Sequence, residues 1–248
     1  SLLLRKMLLD TNNLEGITII EANTLPYGTR MVEPGKVALL LVAESVLVAS
    51  VPKSDLDKSF NQLNEMFPTI VRDSNVLAAA FSNPNPIVHP PGAILNIGRI
   101  EYSRGNFRMY GEGVTQSVAL VIREIYMESR RVAKALSFGV KEYAEKEFHK
   151  KTSIMGNEFV GAFDPHSVIQ DIVGPKSVQD RYISEDLPMG LVPRAELGVV
   201  SGVPTPVIDG IISIGSLVCQ TDFRKSGRTL DKLGLADLTT QEILNIVN

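Results

Sequence analysis

Asn83-Pro84-Asn85-Pro86-Ile87-Val88-His89-Pro90-Pro91-Gly92 divides the chain into two regions of different pattern. Four prolines within eight positions predict irregular backbone here, because proline has no N–H to donate and its ring clashes with the preceding helical turn. Before this stretch the apolar residues follow strand patterns, and after it they follow helical ones.

On the N-terminal side, Gly16-Ile17-Thr18-Ile19-Ile20 is a short β-branched run of the kind found in strands buried on both faces. Residues 36–42 and 45–51 predict two more strands, bent around Ala43-Glu44. Ser54 is placed to cap a helix whose Leu56, Phe60, Leu63 and Phe67 share one face, and Pro68 ends it. Thr69-Ile70-Val71 offers a further strand. Residues 1–83 therefore predict part of an α/β sheet.

On the C-terminal side, Thr115 can cap a long helix with an apolar stripe through Val118, Val121, Ile122, Ile125, Val132 and Leu136. Residues 191–200 and 207–219 have helical spacing too, punctuated by Gly202 and Pro204. Thr239-Thr240-Gln241-Glu242 is a capping box for a last short helix. Residues 84–248 thus predict a mostly α-helical domain.

The bulk composition excludes several functions. The chain has 248 residues, 44% hydrophobic and 21% charged, enough to build a sizeable core. A net charge of -3 without a Lys/Arg stripe argues against nucleic acid. The most apolar stretch, residues 37–51, is shorter than the roughly 20 residues a bilayer-spanning helix needs, and Glu44 interrupts it. Ser1-Leu2-Leu3-Leu4 starts like a signal core but meets Arg5, Lys6 and Asp10 at once. These features predict a soluble, cytoplasmic protein with no membrane partner. The single cysteine, Cys219, excludes an internal disulfide and reads as a small buried hydrophobe. The sequence does not start with Met, which predicts that the natural polypeptide begins further upstream.

Three histidines are candidates for proton transfer. His149 lies among Lys146, Glu147 and Lys150 and reads as part of a solvated helix face; His166 follows Asp164-Pro165 in a surface loop. His89 sits at the junction, where flanking prolines lower the entropy needed to hold one geometry. A catalytic and a structural His89 fit this setting equally. Residues 174–188, bounded by Gly174-Pro175 and Leu187-Pro188, form a loop-like cluster carrying Arg181 and the acids Asp180, Glu185 and Asp186. Such loops often carry functional side chains, and a solvated connection fits as well. Gly111-Glu112-Gly113-Val114-Thr115-Gln116 imitates a dinucleotide fingerprint, yet Gln116 replaces the third glycine and Glu112 would repel a pyrophosphate. It reads as a turn into a helix. No spacing of His and Cys suggests a metal site.

In order, Glu21-Ala22-Asn23-Thr24-Leu25-Pro26-Tyr27, Asn85–Gly92, Leu95-Asn96-Ile97-Gly98-Arg99-Ile100-Glu101, Gly174-Pro175-Lys176-Ser177, Arg181–Pro188 and Gly202-Val203-Pro204-Thr205-Pro206 resemble the octopine/nopaline/opine dehydrogenases. The resemblance implies a Rossmann-type dinucleotide-binding domain followed by a helical domain, with substrates in the cleft between them. The implied reaction condenses an amino acid with a 2-oxo acid reductively, using NAD or NADP in reduced form. His89 matches the family's catalytic acid/base, and Asp186 its acidic partner. Arg181 matches the substrate-binding arginine, and Thr24 the position contacting the oxo acid. Asn23 beside it is a candidate cofactor contact. The family's glycine-rich βαβ unit has no counterpart in these residues, and Ile17–Ile20 corresponds to a late strand of that domain. The chain as given should therefore bind a dinucleotide poorly, and the choice of NAD or NADP cannot be read from it.

Two other readings stay open on the sequence. One is a hydroxy-acid dehydrogenase of the same two-domain layout, distinguished by indifference to amines. The other is a non-catalytic binding or dimerisation module. Helical second domains often mediate homodimers, though no apolar seam demands one.

Overall fold

In the computed structural model, which describes residues 1–161 and 163–248, the strand-patterned region folds into two small sheets. Helix α1 (Leu2–Asp10) precedes strands β1 (Ile19–Ala22), β2 (Tyr27–Glu33), β3 (Lys36–Ala43) and β4 (Val46–Val51). Helix α2 (Leu56–Met66) and strand β5 (Ile70–Arg72) follow. One sheet has the order β1-β4-β5, with β4 antiparallel to β1 and parallel to β5. Parallel neighbours need a crossover, and α2 provides it. Its Phe60 and Leu63 pack with Leu56 on Val46, Val48 and Ile70, the face predicted by their spacing.

Three local expectations are corrected here. Ser54 does not cap α2; it lies in a 3-10 turn (Lys53–Asp55), and Asp55 occupies the cap position without a side-chain bond. The strand predicted from Gly16 starts at Ile19, because Gly16 is in the left-handed region (φ +76). It is also not buried on both faces: Ile19 is buried, Ile20 and Glu21 only partly, as befits the strand at the edge of this sheet.

At Ala43-Glu44 the chain passes from one sheet to the other. β2 and β3 form a hairpin whose Met31, Val32, Val37 and Leu39 are exposed. Its third strand comes from the helical region, described next.

After α3 (Val76–Phe81), which ends the first region, come α4 (Asn85–Ile94), α5 (Ile97–Ser103), α6 (Gln116–Ala135) and α7 (Glu145–Phe148). Strand β6 (Phe159–Val160) pairs with Val42 and Ala43 of β3. Then come α8 (Pro165–Gln170), α9 (Arg181–Ser184), α10 (Val192–Ser201), α11 (Pro206–Val218), α12 (Phe223–Ser226) and α13 (Thr240–Val247). Thr115 caps α6 as expected, accepting from the Val118 N–H; Gly202 ends α10 at φ +71, and the Thr239/Glu242 capping box is formed. Residues 109–113 are a π turn leading into α6, not a phosphate loop.

The proline-rich junction is a helix, contrary to the expectation of irregular backbone. Pro84 and Pro86 fall at the start of α4, where an N–H has no intrahelical acceptor to lose. Pro90 and Pro91 interrupt the interior, and the cost is offset by burial: every residue from Pro86 to Ile94 is buried. A helix apolar on all sides belongs at the centre of a fold. α4 packs against α6, α9, α11 and both π turns, the second spanning Leu187–Leu191.

The largest core gathers Ile87, Val88 and Ile94 of α4 with Ile122 and Ile125 of α6 and Ile208 and Ile212 of α11. A second core joins Ile19, Ala49 and Val51 of the sheet to Val132, Leu136 and Leu197. Core residues from the two sides of position 83/84 thus pack together.

Candidate functional site

Because α4 is buried all round, its one titratable side chain is held rigidly. His89 is 7% exposed. Its Nδ1 lies 2.6 Å from Oδ2 of Asp186, at the turn between α9 and the second π turn. Asp186 keeps 18% side-chain exposure, so this carboxylate forms part of an accessible edge. The other ring nitrogen, Nε2, lies 2.7 Å from the hydroxyl of Tyr110. A neutral imidazole with its proton on Nδ1 satisfies both contacts: it donates to the carboxylate and accepts from the phenol.

Aromatic rings complete the enclosure. Tyr182 of α9 meets His89 edge to face at 4.5 Å between centroids, and Tyr110 at 6.1 Å. Burial, reinforced by Tyr182 and Asp186, pushes the Tyr110 phenol well above its ordinary value, so it stays protonated. Burial raises Tyr182 as well.

Arg181 begins α9, with its guanidinium 5.7 Å from the Tyr182 ring. The residue is exposed, and among the described residues it makes no salt bridge. Its planar fork is available for a carboxylate arriving from solvent.

Thr24 lies half-buried in the bend after β1. Asn23 is fully buried: Oδ1 accepts from the Leu47 N–H at 2.8 Å and the side-chain amide points at the Ser82 carbonyl at 3.5 Å. It ties the end of β1 to β4 and to the end of α3. The expected cofactor contact at Asn23 has no exposed side-chain atom from which to form.

His149 and His166 do not join the pair. His149 lies on the surface with Gln116 and Glu145. His166 lies in the first turn of α8 and bonds Thr152 Oγ1 at 2.7 Å. Cys219 is buried, and its thiol donates to the Val178 carbonyl at 3.3 Å; burial also raises its pKa, the opposite of an activated thiol. Among the described residues no cluster of three or more His, Cys, Asp or Glu could hold a metal, and no helix is long and apolar enough to cross a membrane.

Two participants escaped the sequence reading. Tyr110 stands immediately before the dismissed Gly111–Gln116 segment, and only the fold brings it to His89. Arg194 sat unnoticed in the apolar spacing of α10. It is 2% exposed, and its guanidinium donates to the carbonyls of Gly190 and Ala80 at 3.0 Å, of Phe81 at 3.3 Å and of Asn83 at 3.4 Å. Burial lowers its pKa to about 10, so it remains charged at neutral pH. Arg194 thereby fixes the end of α3 and the entry to α4 on α10, which locates His89 relative to Asp186.

The model of the NAD/NADP octopine/nopaline dehydrogenase alpha-helical domain matches residues 72–219. Opine dehydrogenase of Arthrobacter sp. (strain 1C) is 34% identical over 244 residues, covering 98% of this chain and 67% of that protein. Octopine dehydrogenase, solved with NADH and L-arginine, superposes with a TM-score of 0.64 at 18% identity, covering 94% of this chain and 66% of that one. Solved with NADH and pyruvate, it gives 0.66 at the same identity, covering 94% and 65%. The chain spans about two thirds of the length of these relatives.

Proposed function

The chain belongs to the octopine/nopaline dehydrogenase family, and from that premise we propose that it carries the acid–base and substrate-binding part of an NAD(P)-dependent opine-type dehydrogenase. The reaction would join an amino acid to a 2-oxo acid by reductive condensation. The observation that carries this reading is the 2.6 Å contact between His89 and Asp186, two residues 97 positions apart that packing alone does not require to meet.

Condensation of an amine with a ketone releases water, so the departing oxygen must take up a proton. His89, protonated and paired with Asp186, would supply it; neutral, it would accept a proton from the incoming ammonium group. Asp186 would hold the ring orientation and stabilise the imidazolium. Arg181 would bind the oxo-acid carboxylate, with the Thr24 hydroxyl as a second contact. The enclosing Tyr110 and Tyr182 would keep bulk water from the proton donor.

NAD(P)H, when bound, supplies the hydride. A cleft of about 110 Å³ runs between the sheet and α10, lined by Ala22, Phe81, Pro86 and Met189 and by the charged Glu21 and Arg228, and Pro86 stands one helical turn before His89 on α4. It suits a flat, mostly apolar ring. A glycine-rich pyrophosphate cradle is not among these residues, so NAD and NADP are both proposed.

The test is oxidation of NADH and NADPH by the complete enzyme, given pyruvate with and without a panel of amino acids, beside His89→Ala. Amine-dependent oxidation that collapses in the variant supports the proposal. Oxidation indifferent to amines would assign a hydroxy-acid dehydrogenase instead.

A further inference from the structure

The Gly111-Glu112-Gly113 turn has no phosphate to bind, yet it is built to close tolerances. A Cβ at Gly111 would lie 2.6 Å from the Gln170 carbonyl oxygen, and one at Gly113 would lie 2.6 Å from the Phe107 ring. Only glycine lets this π turn press against α8 and the core. The side chain that the turn delivers is Tyr110, 5% exposed, with its hydroxyl on His89 Nε2. A phenylalanine would fill the same space, so the hydroxyl needs an explanation of its own.

We propose that Tyr110 is a positioning residue for His89, its hydroxyl holding Nε2 between turnovers and yielding that nitrogen to the substrate, while Asp186 holds Nδ1 throughout. This rests on His89 being the acid–base group. A phenol is the one side chain here able to serve both protonation states. Its O–H donates to the lone pair of neutral Nε2, and its oxygen accepts from the imidazolium N–H after a rotation about the C–O bond. A buried imidazole is thus never left with an unpaired nitrogen between turnovers, a vacancy that costs more than the bond itself contributes. Asp186 and Tyr182 face this unit directly, and the charges of Arg181 on Tyr110, of Arg30 on Tyr182 and of Asp186 on Arg194 act on it from further away. None of the other described groups donates to Nε2.

The experiment uses the complete enzyme labelled with ¹⁵N-histidine, the His89 resonances being identified by their loss in His89→Gln. In Tyr110→Phe the Nε2 resonance moves downfield, towards that of an imidazole nitrogen with no donor, and kcat falls about tenfold, the rate equivalent of one hydrogen bond. KM for both substrates stays within a factor of about two, because nothing that binds them is removed. A space-filling Tyr110 would leave the Nε2 resonance and kcat as they are, and that result overturns the proposal. If Tyr110→Phe does not fold, 3-fluorotyrosine at position 110 keeps the shape and strengthens the donor; the resonance then moves upfield, and no movement overturns the proposal. Full turnover in His89→Gln would instead remove the acid–base reading and the catalytic part of this inference with it, while the resonance still reports the bond independently.

Discussion

The Nδ1 of His89 and the carboxylate of Asp186 meet at 2.6 Å, although one residue lies on a buried helix and the other on a partly buried turn 97 residues later. The contact depends on several structures at once: a proline-tolerant helix, the π turn after Asp186, and Arg194 bracing both. Each can be tested separately.

Arg181 stands outside the core, so its loss should affect binding and leave stability alone. Arg181→Lys removes the bidentate fork while keeping the charge, and should raise KM for the oxo acid on the order of tenfold or more. The thermal midpoint should stay within about one degree, since surface substitutions typically change stability by less than 0.5 kcal/mol. An unchanged KM would remove Arg181 from the substrate site.

Gly190 touches the ring of Pro86, and a Cβ there would lie 2.3 Å from it. Proline cannot rotate aside. Gly190→Ala should therefore push the π turn away from α4, costing about 1–3 kcal/mol by overpacking. It should also lower kcat by displacing Asp186 from His89. Urea denaturation and steady-state kinetics on one preparation check both effects.

Arg194→Lys keeps a cation but cannot reach four carbonyls spread over Gly190, Ala80, Phe81 and Asn83. Stranding buried acceptors should destabilise the chain by about 2–3 kcal/mol, measured by denaturant unfolding. A change below about 0.5 kcal/mol would show that the junction is held by apolar packing instead.

Glu128 is fully buried and accepts the N–H groups of Val207 and Ile208 at 2.9 Å each, closing the start of α11. Glu128→Gln turns one acceptor into a donor facing a donor, so a loss of about 1–3 kcal/mol in unfolding free energy is expected. Glu128→Ala should cost more, because both N–H groups and a cavity remain.

The legible parts of this molecule were those written in local pattern. The stripe of α6, the Thr115 cap, the Thr239 capping box and the strands 36–42 and 45–51 all depend on residues a few positions apart. His89, Asp186 and Arg181 came from the family resemblance, since nothing in their own neighbourhoods distinguishes catalysis from structure. What escaped was written in distance or in compensation. Glu128 interrupts a helix face and has its partners about 80 residues later. Tyr110 is one aromatic beside two glycines until the fold turns it onto His89. Residues 85–94 break the local rule against proline in a helix because burial on every side, visible only in three dimensions, outweighs the missing N–H donors.

A kinetic double-mutant cycle on the complete enzyme tests the central pairing most directly, comparing kcat/KM for His89→Gln, Asp186→Asn and the double variant. Groups that act as one acid–base unit are non-additive. The account predicts that each single change lowers kcat/KM by about 10² to 10⁴ and that the double variant is no worse than His89→Gln alone. Losses that multiply in the double variant would show two groups acting independently, and would contradict the dyad.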